Sequence, residues 1–320
     1  MNRRRLFVAA RAIVGLGLLG FILSRLDFAE LRIAGGPRLA VGIATAFGIL
    51  LAAQSFGALR WRTVLGAGAP PWLYLTRLYL VGSFFSLFLP TSVGGDAVRM
   101  VAAARNMPRS SEVVASVVVD RLLGVFALVA YLALGLGFSP EVLTAAGARL
   151  GVNVHGRRTW LAIVVLATPT IAAVLAARFV PAARRWLAEA AGVAQRLASH
   201  PRVALRVAAL AMLVQALYIL AWIALAAGMG MHLGAEVFLV SVPLVSLGAM
   251  LPITLSGLGV REGVWLLLLR PYGIAPATVV TFSLLYFVCV VLVGAAGGLL
   301  FIVRGTDLER PSNADSGPRD

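Results

Sequence analysis

Six ionisable residues stand where a charge is costly. Asp96 and Arg99 close the run Leu89-Pro90-Thr91-Ser92-Val93-Gly94-Gly95, Asp120 and Arg121 lie side by side within the apolar stretch Val113–Phe138, and Arg261 and Glu262 follow Pro252, Gly257 and Gly259. At the centre of a membrane-crossing helix such a charge costs about 2.5–3.5 kcal/mol on insertion scales, so each calls for a partner or a use. One use is a polar substrate pocket in which guanidinium forks hold an anionic head group, since arginine binds phosphate through paired, charge-assisted hydrogen bonds and stays charged when partly desolvated. The other is internal pairing, Asp96 with Arg99 at i+3 and Asp120 with an arginine of the other half of the chain. The two uses are compatible if a pair opens to admit the ligand.

The elements that must position these residues are membrane helices. Of 320 residues 60% are hydrophobic and 13% charged, with mean hydropathy +0.93, a balance that a water-soluble domain of this size does not tolerate. Runs at Leu39–Leu59, Val113–Phe138, Leu161–Ala177, Leu205–Met229 and Ala277–Val303 approach or exceed the ~20 residues needed to cross the hydrocarbon core. They are apolar all round, which excludes the alternating pattern of a β-barrel. Phe7–Ser24 follows Arg3-Arg4-Arg5, contains Arg11 and lacks a small-residue cleavage site, so it reads as a retained signal anchor. The single Cys289 leaves no internal disulfide or paired redox chemistry.

Two segments share the pattern L-P-x4-G-x2-V-R, one from Leu89 to Arg99 and one from Leu251 to Arg261, with Pro90 and Pro252 162 positions apart and the flanking spans repeating at similar offsets. This points to an internal duplication, with halves at about 1–140 and 158–304 of one membrane domain spanning 1–304. The net charge of +15 comes entirely from arginine, and its distribution over short loops fits the positive-inside rule and not nucleic-acid binding. If the motif segments crossed the membrane, the arginines at 99–109 and 178–206 would fall outside. If Trp72–Pro90 enters and returns on one side, Arg60, Arg62, Arg99–Arg109, Arg178–Arg206 and Arg304 all face the cytoplasm, and only Arg149, Arg157 and Arg158 are misplaced. The predicted fold is therefore an all-α membrane protein of about six transmembrane helices plus two re-entrant helical hairpins in an inverted internal repeat. Both termini are expected in the cytoplasm, residues 305–320 forming a disordered tail.

Pro90, Gly94, Gly95, Pro252, Gly257 and Gly259 are the residues from which tight motif turns are made. Irregular backbone at membrane depth is tolerated only beside protein or a polar cavity. Trp61, Trp72, Tyr74, Tyr79 and Trp160 read as interfacial anchors, while Gln54, Gln215 and Tyr218 line a pore or bond across helices. Enzyme signatures are missing: there is no H-E-x-x-H, G-x-S-x-G or Walker A, and His155, His200 and His232 lack metal-ligand spacing. Val93-Gly94-Gly95-Asp96 and Val119-Asp120 also depart from the patterns of intramembrane aspartyl proteases. No catalytic residue, metal or cofactor is called for.

Three motifs in order, Phe88-Leu89-Pro90 to Arg99, Ala115-Ser116 to Gly124, and Ser256-Gly257-Leu258-Gly259-Val260-Arg261-Glu262-Gly263, together with Arg60-Trp61, resemble the lysylphosphatidylglycerol synthase transmembrane-region family of flippase-like proteins. The resemblance implies lipid translocation across the bacterial inner membrane. In bifunctional members a separate soluble domain performs aminoacylation; this chain ends shortly after its last span and is expected to be a stand-alone member, so the lipid does not transfer with the fold. One departure is Phe287, after Ser283-Leu284-Leu285-Tyr286, where family members often carry an arginine. The expected function is a lipid flippase-like transporter of a phosphate-bearing phospho- or glycolipid. Arg99, Arg121 and Arg261 would hold the head group, with Asp96, Asp120 and Glu262 pairing with them or meeting a cationic substituent. The alternatives are a membrane-embedded transferase with Asp96 or Asp120 as base, and a non-transporting partner of a glycosyltransferase or lipid-modifying synthase.

Overall fold

The computed structural model describes residues 36–87, 93–105, 107, 110–138, 142, 183–250 and 259–303. The expected spans Phe7–Ser24 and Leu161–Ala177, the motif residues Pro90, Pro252 and Gly257, the repeat boundary and the 305–320 tail lie outside the described residues.

The described residues form helices and no strands. Four are long: α1 (Gly36–Leu65), α4 (Ser110–Phe138), α6 (Pro201–Gly228) and α9 (Pro276–Val303), of 30, 29, 28 and 28 residues. At 1.5 Å per residue each reaches about 42 Å, enough to cross a ~30 Å core, and all four are apolar enough to do so. Shorter helices lie between them: α2 (Trp72–Ser86), α3 (Val93–Ala104), α7 (Ala235–Ala249) and α8 (Val260–Leu269). The longest of these reach only about 22 Å, too short to span alone. The amphipathic α5 (Ala183–Ala198) precedes α6 and packs on α4 and α6. Its Val193 is buried with Val64, Ala115, Val119 and Val207.

Local chemistry sets the helix boundaries. Pro201 and Pro276 open α6 and α9, where proline's missing N–H costs nothing. Before α8, Gly259 takes φ 89°, a conformation that fits glycine. At the other end of α1 the sequence reading needs correction. The apolar run ends at Leu59, yet the helix continues through Arg60, Trp61 and Arg62 to Leu65 and stops before Gly66, φ 78°. Arg60 is thus a buried helical residue and not a cytoplasmic loop charge.

The order long, short, short, long occurs twice, as α1–α4 and α6–α9. The pairing is symmetric as well: α1 packs along α6, α2 against α9, and α7 against α4. The corresponding helices α1 and α6 run antiparallel. Gly42, near the start of α1, abuts Gly228 at the end of α6, where a Cβ on either would strike the other's backbone; at the far end Val64 packs with Val207. Equivalent helices that cross a bilayer antiparallel are related by an axis in the membrane plane, which is the geometry of an inverted repeat.

Candidate functional site

The two halves differ at their centres. The second half packs aromatic side chains: Trp222 stacks on Tyr286 at 3.8 Å between ring centroids, with Trp265 and Phe282 at 4.9 and 4.8 Å. In the first half the corresponding region is ionic. Asp120, on α4, receives Arg60 Nε at 2.7 Å on Oδ1, and the Tyr79 hydroxyl at 2.7 Å and Arg99 Nη2 at 3.3 Å on Oδ2. Asp96, at the start of α3, receives Arg99 Nε at 2.9 Å on Oδ1 and Arg121 Nε at 2.6 Å on Oδ2. Arg99 bridges the two carboxylates, and its guanidinium carbon lies 4.2 Å from the Tyr79 ring centroid and 4.9 Å from that of Trp61, within cation–π range. Trp61 is fixed by its indole N–H, which donates to Ser116 Oγ at 2.9 Å.

Backbone packing holds this cluster together. Gly95 of α3 meets Gly82 of α2 at a distance that leaves no room for a Cβ on either, so the arm carrying Tyr79 lies against the arm carrying Asp96 and Arg99. Gly94 and Gly95 are helical residues of α3 and not turn residues as the motif suggested; Gly95 is needed for this close approach. Asp96, Arg99, Asp120 and Arg60 are buried, whereas the Arg121 side chain is 43% exposed and stands at the rim.

The cluster lines a cavity of about 250 Å³ between α1, α2, α3 and α4, with α6 of the other half as its remaining wall. Gln54, Gln215 and Tyr218 face this space, as one of the two sequence readings had it. Two donor nitrogens in this wall have no hydrogen-bond partner among the described residues, Arg99 Nη1 and Gln215 Nε2. Three guanidinium groups against two carboxylates give the cluster a formal charge of plus one.

Arg261 and Glu262 are not among the residues lining this cavity. Arg261 is buried with its guanidinium carbon 5.3 Å from the Phe287 ring centroid, so Phe287 supplies it with an aromatic face. The Glu262 carboxylate accepts the Gly259 backbone N–H and, at 2.6 Å, the Ser283 hydroxyl, tying the start of α8 to α9. The arginine partners of Asp120 are both in its own half and not in the other, as pairing across halves would have required. Arg60, Trp61 and Tyr79 were missed as site residues. A signal existed for Arg60 and Trp61, since no helix breaker precedes Gly66; none paired Tyr79 with Asp120. Trp72, 37% exposed, is compatible with an interfacial anchor. Among the described residues no group of three histidine, cysteine or acidic side chains is placed to hold a metal.

The family model for the lysylphosphatidylglycerol synthase TM region matches residues 8–298. The chain belongs to that family. No curated protein and no solved structure matches it. As a member of the lysylphosphatidylglycerol synthase TM region family with four long apolar helices among the described residues, it is a multi-pass membrane protein. The three motifs that carried the resemblance include Asp96, Arg99 and Asp120, which come together in one cluster, and Arg261, which lies apart from it.

Proposed function

We propose that this protein is a lipid flippase-like transporter that moves a phosphate-bearing lipid across the cytoplasmic membrane. The observation that carries the reading is a positively charged, buried cluster lining a cavity within an otherwise apolar bundle. Such a cavity offers a lipid head group a route past the hydrocarbon core while the acyl chains stay in lipid. Two further features support it. The short helix pairs α2–α3 and α7–α8 match the broken helices from which inverted-repeat transporters build midplane sites, and family membership supplies the lipid-related context. Without a nucleotide-binding motif in the sequence, movement runs downhill or is coupled to an ion gradient.

The transferase alternative needs a carboxylate free to take a proton. Both oxygens of Asp96 and both of Asp120 already accept charged or hydroxyl donors, which favours a structural and electrostatic role. The test is translocation of fluorescent phospholipids in proteoliposomes. Wild-type protein is expected to expose labelled lipid to an impermeant quencher, and Arg99→Gln to slow this by at least about tenfold, a loss of roughly 1.4 kcal/mol or more at a charge-assisted contact. Arg261→Gln, outside the cavity, is expected to slow it less. No lipid movement by the wild type would sink the reading.

A further inference from the structure

We infer that α7 is hinged at Pro243 and that the arm beyond it, Leu244–Met250, is a gate whose tip, Met250, opens and closes the cavity. The gating role rests on the transport reading above; the hinge does not.

Pro243 lies inside α7. Having no N–H, it deprives the Leu239 carbonyl of its helical donor. In membrane helices a nearby hydroxyl can make good such a loss, but Ser241 Oγ is buried and has no partner among the described residues. One rung of the helical ladder is therefore missing, and a bend there breaks no hydrogen bond.

The arm before the proline is fixed. Val237, Phe238, Val240, Ser241 and Val242 are buried, and the Phe238 ring lies 6.2 Å from that of Trp265 between centroids. The backbone of Leu239 runs so close to α4 that a Cβ on Gly135 would lie 2.8 Å from the Leu239 carbonyl carbon. The residue whose carbonyl the proline leaves without a helical donor is thus the one pressed against α4, which makes α4 the fulcrum. The arm beyond the proline is looser: of Leu244–Met250 only Val245 is buried, and Met250 is 37% exposed. Sparse burial is what permits local motion.

This loose arm ends at the cavity. Met250, the C-cap of α7, is the one described residue of the α7–α8 pair that lines it. From Pro243 to Met250 the lever is about 10 Å long, so a bend of about 20° shifts its tip by about 4 Å, the scale of a side chain. A flexible thioether fills or vacates an irregular gap without a charge to desolvate. The first half has no equivalent device: α2 contains no proline and is clamped to α3 through Gly82 and Gly95.

The experiment uses the full chain carrying Cys289→Ser in proteoliposomes. Met250→Cys reports on the tip and Ala235→Cys, at the start of α7, on the fixed arm, each through its rate of reaction with a small methanethiosulfonate. Pro243→Ala supplies the missing N–H. It is expected to slow both the reaction at position 250 and the movement of fluorescent phospholipid by about tenfold. Position 235 and the melting temperature should stay as in the parent protein, which separates stiffening from misfolding. Pro243→Gly, which exchanges one weak point in the helix for another, is expected to restore both rates. An unchanged reaction at position 250 in Pro243→Ala would overturn the hinge, and so would a lowered melting temperature that Pro243→Gly shares, which assigns the proline to packing. Slower reaction at position 250 with lipid movement at the parental rate would overturn the gate. Absence of lipid movement by the wild type fails the transport reading itself, and the reaction rates then still decide the hinge.

Discussion

Arg99 is the residue on which the site turns, because among the described residues it alone contacts both carboxylates and both flanking rings while lining the cavity. Its neighbours are bound into one network, in which removal of a single member costs another buried charge one of its partners. Arg60 illustrates the cost. Arg60→Leu strips Asp120 Oδ1 of its 2.7 Å contact and is expected to destabilise the protein by about 3 kcal/mol, whereas Arg60→Leu/Asp120→Leu should recover part of that loss. Thermal melts followed by tryptophan fluorescence in detergent check both, and a double variant no more stable than Arg60→Leu would count against the pairing. At this scale the sequence was informative about Asp96, Arg99, Asp120 and Arg121, because charges in apolar runs declare themselves. It was silent about Tyr79, whose hydroxyl reaches a carboxylate 41 positions away. Tyr79 resembles any aromatic near a membrane boundary until the fold brings α2 against α4.

Among the elements, α1 and α6 form the spine, and their contact depends on glycine. Gly42 and Gly228 allow backbones to touch where any side chain would separate them. Gly42→Leu is expected to lower stability by about 2–3 kcal/mol through overpacking and to widen the cavity wall formed by Gln215 and Tyr218 further along α6. The melting assay above measures the first effect. Slower lipid movement in the proteoliposome assay, without loss of folding, would report the second. Span positions were readable from hydropathy because the bilayer imposes a length. The end of α1 was misread because a hydropathy window stops at Arg60, while the backbone stops only where glycine permits a left-handed turn. The motif glycines were read as turns for the same reason: composition does not distinguish a glycine that bends a chain from one, such as Gly95, that lets two helices approach.

Over the whole molecule, the antiparallel pairing of α1 with α6 makes a statement about sidedness. The Glu112–Arg196 ion pair places the start of α4 and the end of α5 at one end of the bundle, and α6 carries the chain from there to the other. In a Cys289→Ser background, Arg105→Cys and Ala190→Cys are expected to react with a thiol reagent only from the cytoplasmic face, and His232→Cys only from outside. Labelling of position 190 from outside would overturn the topology. The duplication was legible from two copies of one short motif, and its inversion from arginine counting. What neither could disclose was that the copies have diverged at their centres, one ionic and the other aromatic.

That divergence bears on how such a molecule can work. In a carrier whose halves are interchangeable, exchanging their two shapes regenerates the same binding place on the opposite face. Here the exchange would put Trp222, Trp265 and Tyr286 where the guanidinium groups had been. On the transport reading the first half would supply the charges that meet the cargo and the second half an uncharged wall, so that the two leaflets would face two unlike surfaces.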